Sequence, residues 1–324
     1  MKILPQQLAK DAQASGYRPE ILEKVFHLLN LLNGFQSHPF LKGRLVLKGG
    51  TALNLFHFDL PRLSADIDLN YVGAVDREVM LQERPKIEQA LQAVCSREDM
   101  TVTRMPSEHA GGKWRLRYAS AVHETAMLAV DVNFMFRVPL WPAAPHDSRR
   151  VGSYQARGIP VLDLHELAAG KLAALLARHA SRDLFDAHGL LQRGELDVAK
   201  LRVGFVVYGA LNRKDWRTVS VEDVSFDASE LMNELLPVLR TVDAEQLAEP
   251  AIWAGTLLNE CRQRLSMVLP LADPEREFLD RILDHGEIIP ALLTSDPDMA
   301  DRIESQPMLQ WKAQNVRQHK TRKT

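Results

Sequence analysis

Two aspartates one residue apart, Asp66 and Asp68, follow closely on a glycine pair, Gly49 and Gly50, in the stretch KGGTALNLFHFDLPRLSADIDLN (48–70). Residues two apart on a strand share a face, so the carboxylates project together while Ile67 and Leu69 turn inward. Like charges held this close raise each other's pKa unless something positive lies between them. A divalent cation meets that need. Mg²⁺, a hard ion, binds one or two carboxylates and fills its shell with water and substrate phosphates. Taken alone, a D-x-D triplet is better explained by a solvated strand face, since such triplets are common. Asp131 shifts the balance. It sits in MLAVDVNFM, where Leu128, Val130, Val132 and Phe134 form one apolar face and Asp131 lies on the other with Ala129 and Asn133. A charged carboxylate in so apolar a segment needs a cation, several hydrogen bonds, or water at a sheet edge. If its strand lies beside that of Asp66 and Asp68, three carboxylates converge, enough to hold two metal ions for in-line attack on a phosphoryl group.

The elements that must position these groups can be read in order. PEILEKVFHLLNLLN (19–33) carries apolar residues at helical spacing, with Gly34 as its stop. RLVLKGG reads as a short buried strand ending in a turn, TALNLFHF as a helix and ADIDLNYV as a strand. Gly49 and Gly50 leave the backbone bare, so their N–H groups can face an anion at the start of that helix, and Thr51 adds a hydroxyl. A helical stretch containing Pro85 follows, then strands MTVTRM, KWRLRYA and AMLAVDVNFMF, then a proline-rich connection over 138–147. From residue 161 helices dominate, with further helices expected around 229–240, 250–267 and 274–285. Asp273 is the expected N-cap of the last, Pro274 its first helical residue and Gly286 its close.

The ordered set of strand, G-G-T, helix and D-x-D strand resembles the AbiEii/AbiGii toxin family within the polymerase β-like nucleotidyltransferase superfamily. The AbiEii segment R-x-S-x-D-[IL]-D is matched by Arg62, Ser64, Asp66, Ile67 and Asp68. A second block, LAAGKLAALLARHASRDLFDAH, matches the family's helical lysine and R-D-x-x-D-like motif with Lys171, Arg178, Arg182, Asp183 and Asp186. The resemblance implies an α+β fold: a mixed-sheet nucleotidyltransferase core over 1–160, then a mostly helical domain over 161–324. It also implies a Mg²⁺-dependent transfer from a nucleoside triphosphate (NTP). Asp66, Asp68 and Asp131 would hold metal, and Gly49, Gly50, Thr51, Arg62, Ser64, Lys171 and Arg182 would border the nucleotide. Asp183 is the carboxylate expected to matter in the second block. Arg62 and Ser64 would touch phosphate or brace the loop.

Lys171 can be argued separately. Leu164, Leu167 and Leu175 lie within a narrow helical arc, Lys171 falls near its middle, and Arg178 points the same way. A lysine in a core-facing stripe must reach an anion or snorkel to water; we read it as a cation for the triphosphate. Asp183 and Asp186 stabilise the dipole of a helix that Ser181 caps, position Lys171 or Arg182, or act as a base on the acceptor.

Composition bounds the partners. The 324-residue chain is 46% hydrophobic with a net charge of −2, so a nucleic-acid partner must be met by a local basic patch. One candidate is Lys113, Arg115 and Arg117 on one face of KWRLRY, a pattern first explained by the solvated face of a half-buried strand, though three cations in a row could also bind phosphates. Another is the basic stretch 312–324, expected to be mobile. Aromatics make up only 6%, which argues against a stacking platform. Cys95 and Cys261 fit no zinc or disulfide framework, the histidines show no metal-ligand spacing, and neither a signal peptide nor a membrane span is evident. A soluble, cytoplasmic enzyme is expected. The resemblance further implies the toxin of a type IV toxin–antitoxin or phage-defence pair, an antitoxin with a winged-helix domain, and an RNA acceptor, tRNA 3′ ends first. Nucleotide transfer to a protein hydroxyl, or a non-catalytic nucleotide-binding regulator, is the alternative.

Overall fold

The computed structural model describes residues 2–106, 110–247 and 249–321. The chain divides into two compact units: Met1–Arg137 with Ala143–Leu162 and Leu235–Ala248, and Val138–Pro142 with Asp163–Glu234 and Glu249–Thr324. A single boundary near 160 leaves out two excursions of the chain between these units. Residues 138–142 belong with the helical unit, and 235–248 return to the sheet unit.

The first unit carries a seven-stranded mixed sheet: β1 Leu45–Lys48, β2 Asp66–Tyr71, β3 Thr101–Arg104, β4 Gly111–Ala119, β5 Thr125–Asn133, β6 Ala144–His146 and β7 Ile159–Val161, in the order β3-β4-β5-β2-β1-β7-β6. The α+β class expected from the sequence is what the fold shows. The β2/β5 and β1/β7 pairs are parallel and the others antiparallel. β6 lies inside the proline-rich connection, an edge position where missing N–H donors do little harm.

Alternation of burial decides which way each strand faces. Leu45, Leu47, Ile67, Leu69, Tyr71, Trp114, Leu116, Tyr118, Leu128, Val130 and Val132 are all buried on one face. Helices α1 (Pro5–Ser15) and α2 (Pro19–Ser37) precede β1, a single α-turn, α3 (Gly49–Thr51), runs on as a π-turn Ala52–His57, and α4 (Arg77–Arg97) follows β2. α2 covers the apolar face: the His27 ring packs on Tyr118 with centroids 4.2 Å apart. Gly34 does not end α2. It lies inside the helix, where an added Cβ would come within 2.7 Å of Val94 Cγ1 on α4, so the glycine serves a close helix–helix approach. Pro85 sits inside α4 without dividing it. Residues 235–247 close the unit: Leu63 N–H donates to Val238 O at 2.9 Å, and Thr241 N–H donates to Gly16 O at 2.7 Å.

The second unit is helical: α5 Leu164–Ala177, α6 Ser181–Gln192, α7 Val198–Leu211 and, further on, Pro250–Arg264, Asp273–Asp280, Pro297–Glu304 and Pro307–Thr321. The helix expected over 229–240 is instead a broken run of short turns, Ala228–Glu230, Leu231–Leu235 and Leu236–Val238, with Pro237 in the last. Asp273 is the first helical residue, not the cap; Ala272 holds that place, and its N–H donates to the Glu275 carboxylate at 2.7 Å. Gly286, at φ 69°, does close the helical run. The basic stretch expected to be mobile is helical as far as 321, and 322–324 lie outside the described residues. Lys312 is its anchor: Nζ donates to Ala210 O at 2.6 Å and Asn212 O at 2.8 Å, satisfying carbonyls at the end of α7. Among the described residues, no helix is long and apolar enough to cross a membrane.

His27 is 2% exposed, neither ring nitrogen has a hydrogen-bond partner, and burial lowers its pKa to about 4. The unfolded chain binds this proton near pH 6.5, the folded protein only near 4. Its neutral form is therefore fully tolerated above 6.5, and stability falls as pH drops through that window, by up to about 3 kcal/mol. A His27→Leu variant is expected to lose that part of the acid sensitivity in urea unfolding at pH 7.5, 5.5 and 4.5. An unchanged pH slope contradicts the assignment.

Candidate active site

β2 lies at the centre of the sheet because its Ile67, Leu69 and Tyr71 are buried on the helix-covered face. That alternation leaves Asp66 and Asp68 on the opposite face, each only partly exposed. β5 runs parallel alongside, with Asp68 paired to Asp131, Asp66 to Ala129 and Asn70 to Asn133. Adjacent strands are about 4.8 Å apart, so the backbones of Asp68 and Asp131 are immediate neighbours on one face. On the outer sides, Lys48 of β1 pairs with Asp68 and Lys113 of β4 pairs with Asp131. The sheet therefore carries a transverse row of cation, carboxylate, carboxylate, cation. Asp66 stands one pleat along, its Oδ2 3.7 Å from Lys113 Nζ. Both partners are nearly half exposed, so this contact is screened and weak.

The three aspartates offer only hard oxygen donors, the chemistry that suits Mg²⁺. Among the described residues no three acidic, histidine or cysteine side chains converge tightly enough to hold an ion as they stand. The fold supplies donors on one face, not a closed cage. Such an arrangement fits an ion that shares its shell with water and phosphate.

The glycine turn is shaped around this row. Gly49 has φ +74°, and a Cβ there would lie 2.3 Å from Asp68 Oδ2. Both conformation and space therefore require glycine. Three residues expected to border phosphate make contacts within the loop. Thr51 is fully buried; its hydroxyl donates to Asp66 O at 2.5 Å and lies 3.0 Å from Ser64 Oγ. Arg62 is buried, with Nη1 donating to Leu63 O at 2.9 Å. Between the two weighed roles of Arg62 and Ser64, the geometry is that of loop braces, and Thr51 joins them. They pin the turn to the start of β2.

The second block lies in the helical unit. Lys171 on α5 is 9% exposed, with Nζ 2.8 Å from Asp183 Oδ1 and 2.9 Å from Asp186 Oδ2 on α6. Arg178 Nε reaches Asp183 Oδ2 at 2.7 Å. Burial pushes the Asp183 pKa up, but the charges of Lys171 and Arg178 outweigh it and hold the carboxyl below its usual range. Arg182 is 3.4 Å from Glu234. Ser181 does not cap α6; Ala180 holds that position, and Ser181 N–H and Oγ bond Glu230 and Asp227. Sequence reading passed over Glu166. Buried in the first turn of α5, it accepts from Leu140 N–H at 2.9 Å and Tyr208 Oη at 3.0 Å, and burial raises its pKa to about 7. A glutamate so near a helix start reads as a dipole partner, which hid its use in holding residues 138–142.

The sequence model of the nucleotidyl transferase AbiEii toxin, type IV TA system, matches residues 30–286. The chain belongs to the AbiEii nucleotidyltransferase toxin family. No curated protein sequence matches it. Among solved structures it is similar to MenT4, a nucleotidyltransferase toxin from Mycobacterium tuberculosis H37Rv, at 17% identity, TM-score 0.56, with 95% of this chain and 99% of that chain covered. At that identity the likeness is one of fold. AbiEii membership makes the chain a nucleotidyltransferase of the toxin–antitoxin kind and implies an NTP substrate and a cognate antitoxin.

Gly49→Ala is expected to cost about 1–2 kcal/mol in urea unfolding through left-handed strain and to cut nucleotide transfer more than tenfold by displacing the Asp68 carboxylate. Full transfer by a folded variant contradicts this reading of the turn.

Proposed function

We propose that the protein transfers a nucleotide from an NTP to an RNA acceptor, with a tRNA 3′ end as the first candidate. The observation that carries this reading is the register of Asp68 with Asp131, beside a glycine turn fitted to the Asp68 carboxylate. In this reaction the acceptor hydroxyl attacks the α-phosphate, a new P–O bond forms, the bond to the leaving pyrophosphate breaks, and the hydroxyl proton passes to a carboxylate. Asp66 and Asp68 would bind Mg²⁺, which when bound neutralises phosphate charge. Asp131 would complete the metal-binding set and orient the attacking hydroxyl. The bare backbone of Gly49 and Gly50 would border the phosphates. For the helical unit we propose that Lys171, held by Asp183 and Asp186 with Arg178 and Arg182 around them, is required for transfer. The cellular role would be that of a cytoplasmic toxin of a type IV phage-defence pair, countered by an antitoxin with a winged-helix domain.

Incubation with labelled NTPs, Mg²⁺, total RNA and cell protein is expected to yield label that RNase removes and protease leaves. Asp66→Asn and Asp131→Asn should each reduce it by roughly a hundredfold or more, as should EDTA. Label removed only by protease would mean a protein acceptor. Label equal in the parent and Asp66→Asn would end the transferase reading.

A further inference from the structure

A two-substrate reaction needs two approaches to the carboxylates, and the sheet has two flanks. On the β1 side lie Lys48 and the glycine turn. On the β4 side, beyond Lys113, lie cations that take no part in the carboxylate row. Lys113, Arg115 and Arg117 occupy alternate, exposed positions of β4, paired in turn with Asp131, Ala129 and Met127 of β5. They therefore share the face of the aspartates, spaced about 7 Å apart along the strand. Trp114, Leu116 and Tyr118 fill the opposite, buried face.

The edge strand β3 adds a fourth cation in an unexpected place. Arg104 pairs in register with Arg115, next to an irregularity in the ladder. Like charges directly opposite on neighbouring strands are destabilising, and among the described residues neither Arg104, Arg115 nor Arg117 is ion-paired with an acid. The chain as a whole is slightly acidic, so this concentration is local. Beside it lies a cavity of about 250 Å³ lined by Arg104, Lys113 and Arg115, with Gly111 and Gly112 contributing bare backbone. Gly111 has φ +90°, and a Cβ there would strike Val132 O, so that position requires glycine.

Two guanidinium groups in register, without an acid partner among the described residues and beside a cavity, fit a polyanion. No aromatic ring lies among the β4 residues of this face, so bases would not be stacked and recognition would be of backbone phosphate. We infer that the β3–β4 edge is a phosphate track for a single-stranded RNA acceptor, carried by Arg104, Arg115 and Arg117, with Lys113 as the end that adjoins the carboxylates. This inference rests on the reading of the site as a nucleotidyltransferase centre, which supplies the RNA class.

The test is fluorescence anisotropy of labelled oligouridylate, without nucleotide or divalent metal, over a series of KCl concentrations. The double variant Arg104→Gln/Arg115→Gln is expected to bind more weakly and to flatten the slope of log affinity against log salt by about 1.4, two phosphate contacts' worth. It should melt no lower than the parent, since a repulsion is removed. Arg77→Gln/Arg97→Gln, exposed cations elsewhere on the same unit, should leave the slope unchanged. Equal slopes for the parent and the Arg104/Arg115 variant overturn the track. So does a parent that fails to bind oligouridylate while the same variant loses the labelling of a protein acceptor. Because binding is read without catalysis, an inactive protein that still needs Arg104 and Arg115 for RNA would refute the transferase reading and leave the track standing.

Discussion

Mutual repulsion of three carboxylates on one sheet face is the constraint to which the rest of the sheet unit answers. Asp66, Asp68 and Asp131 are held there because their alternate neighbours on β2 and β5 are buried beneath α2 and α4. A one-residue slip of either strand would carry its aspartates into the core. The apolar face thus fixes the polar one. Lys48 and Lys113 flank the row on its two sides and offset part of the repulsion, the exposed Lys113 only weakly because water screens it.

The helical unit solves a different electrostatic problem. Lys171, placed in an apolar stripe, is compensated within its own unit by Asp183 and Asp186, and Asp183 is compensated again by Arg178. Removing one member of such a buried set leaves an uncompensated charge, which costs far more than the intact set contributes. Lys171 and the acids of α6 therefore act as a unit, and single substitutions there report on folding as well as on chemistry.

The sheet face was legible in the sequence because strand alternation is a strict period of two, so Asp66, Asp68 and Asp131 sorted themselves from their apolar neighbours. The parallel pairing that brings β5 beside β2 was not legible, since no local pattern encodes which strands become neighbours. Helical periodicity found Lys171, and the acids of the next helix, Asp183 and Asp186, were legible as its partners only as one of several roles, among which the ion pairs decide. Glycines misled in one case and informed in another. Gly34 looked like a helix stop and is a packing contact, whereas Gly49 marked a real turn whose fit to Asp68 only coordinates disclose. Thr51 and Ser64 carry hydroxyls suited to phosphate, and their bonds to each other and to Asp66 O, which brace the loop, could be read only from the coordinates. The return of 235–247 to the sheet unit leaves no trace in composition, because it rests on backbone hydrogen bonds such as Leu63 to Val238.

The proposed RNA track and the carboxylate row share a face, so one strand pairing, β4 with β5, sets Lys113 opposite Asp131 and both features in register. The central claim, that the aspartates form one repulsive, cation-seeking group, is tested most directly by thermal unfolding of the parent and Asp131→Asn with and without Mg²⁺. The account predicts that the variant melts higher than the parent in EDTA, and that Mg²⁺ raises the parent's melting temperature but not the variant's. A variant that melts lower in EDTA and gains as much from Mg²⁺ as the parent would contradict it.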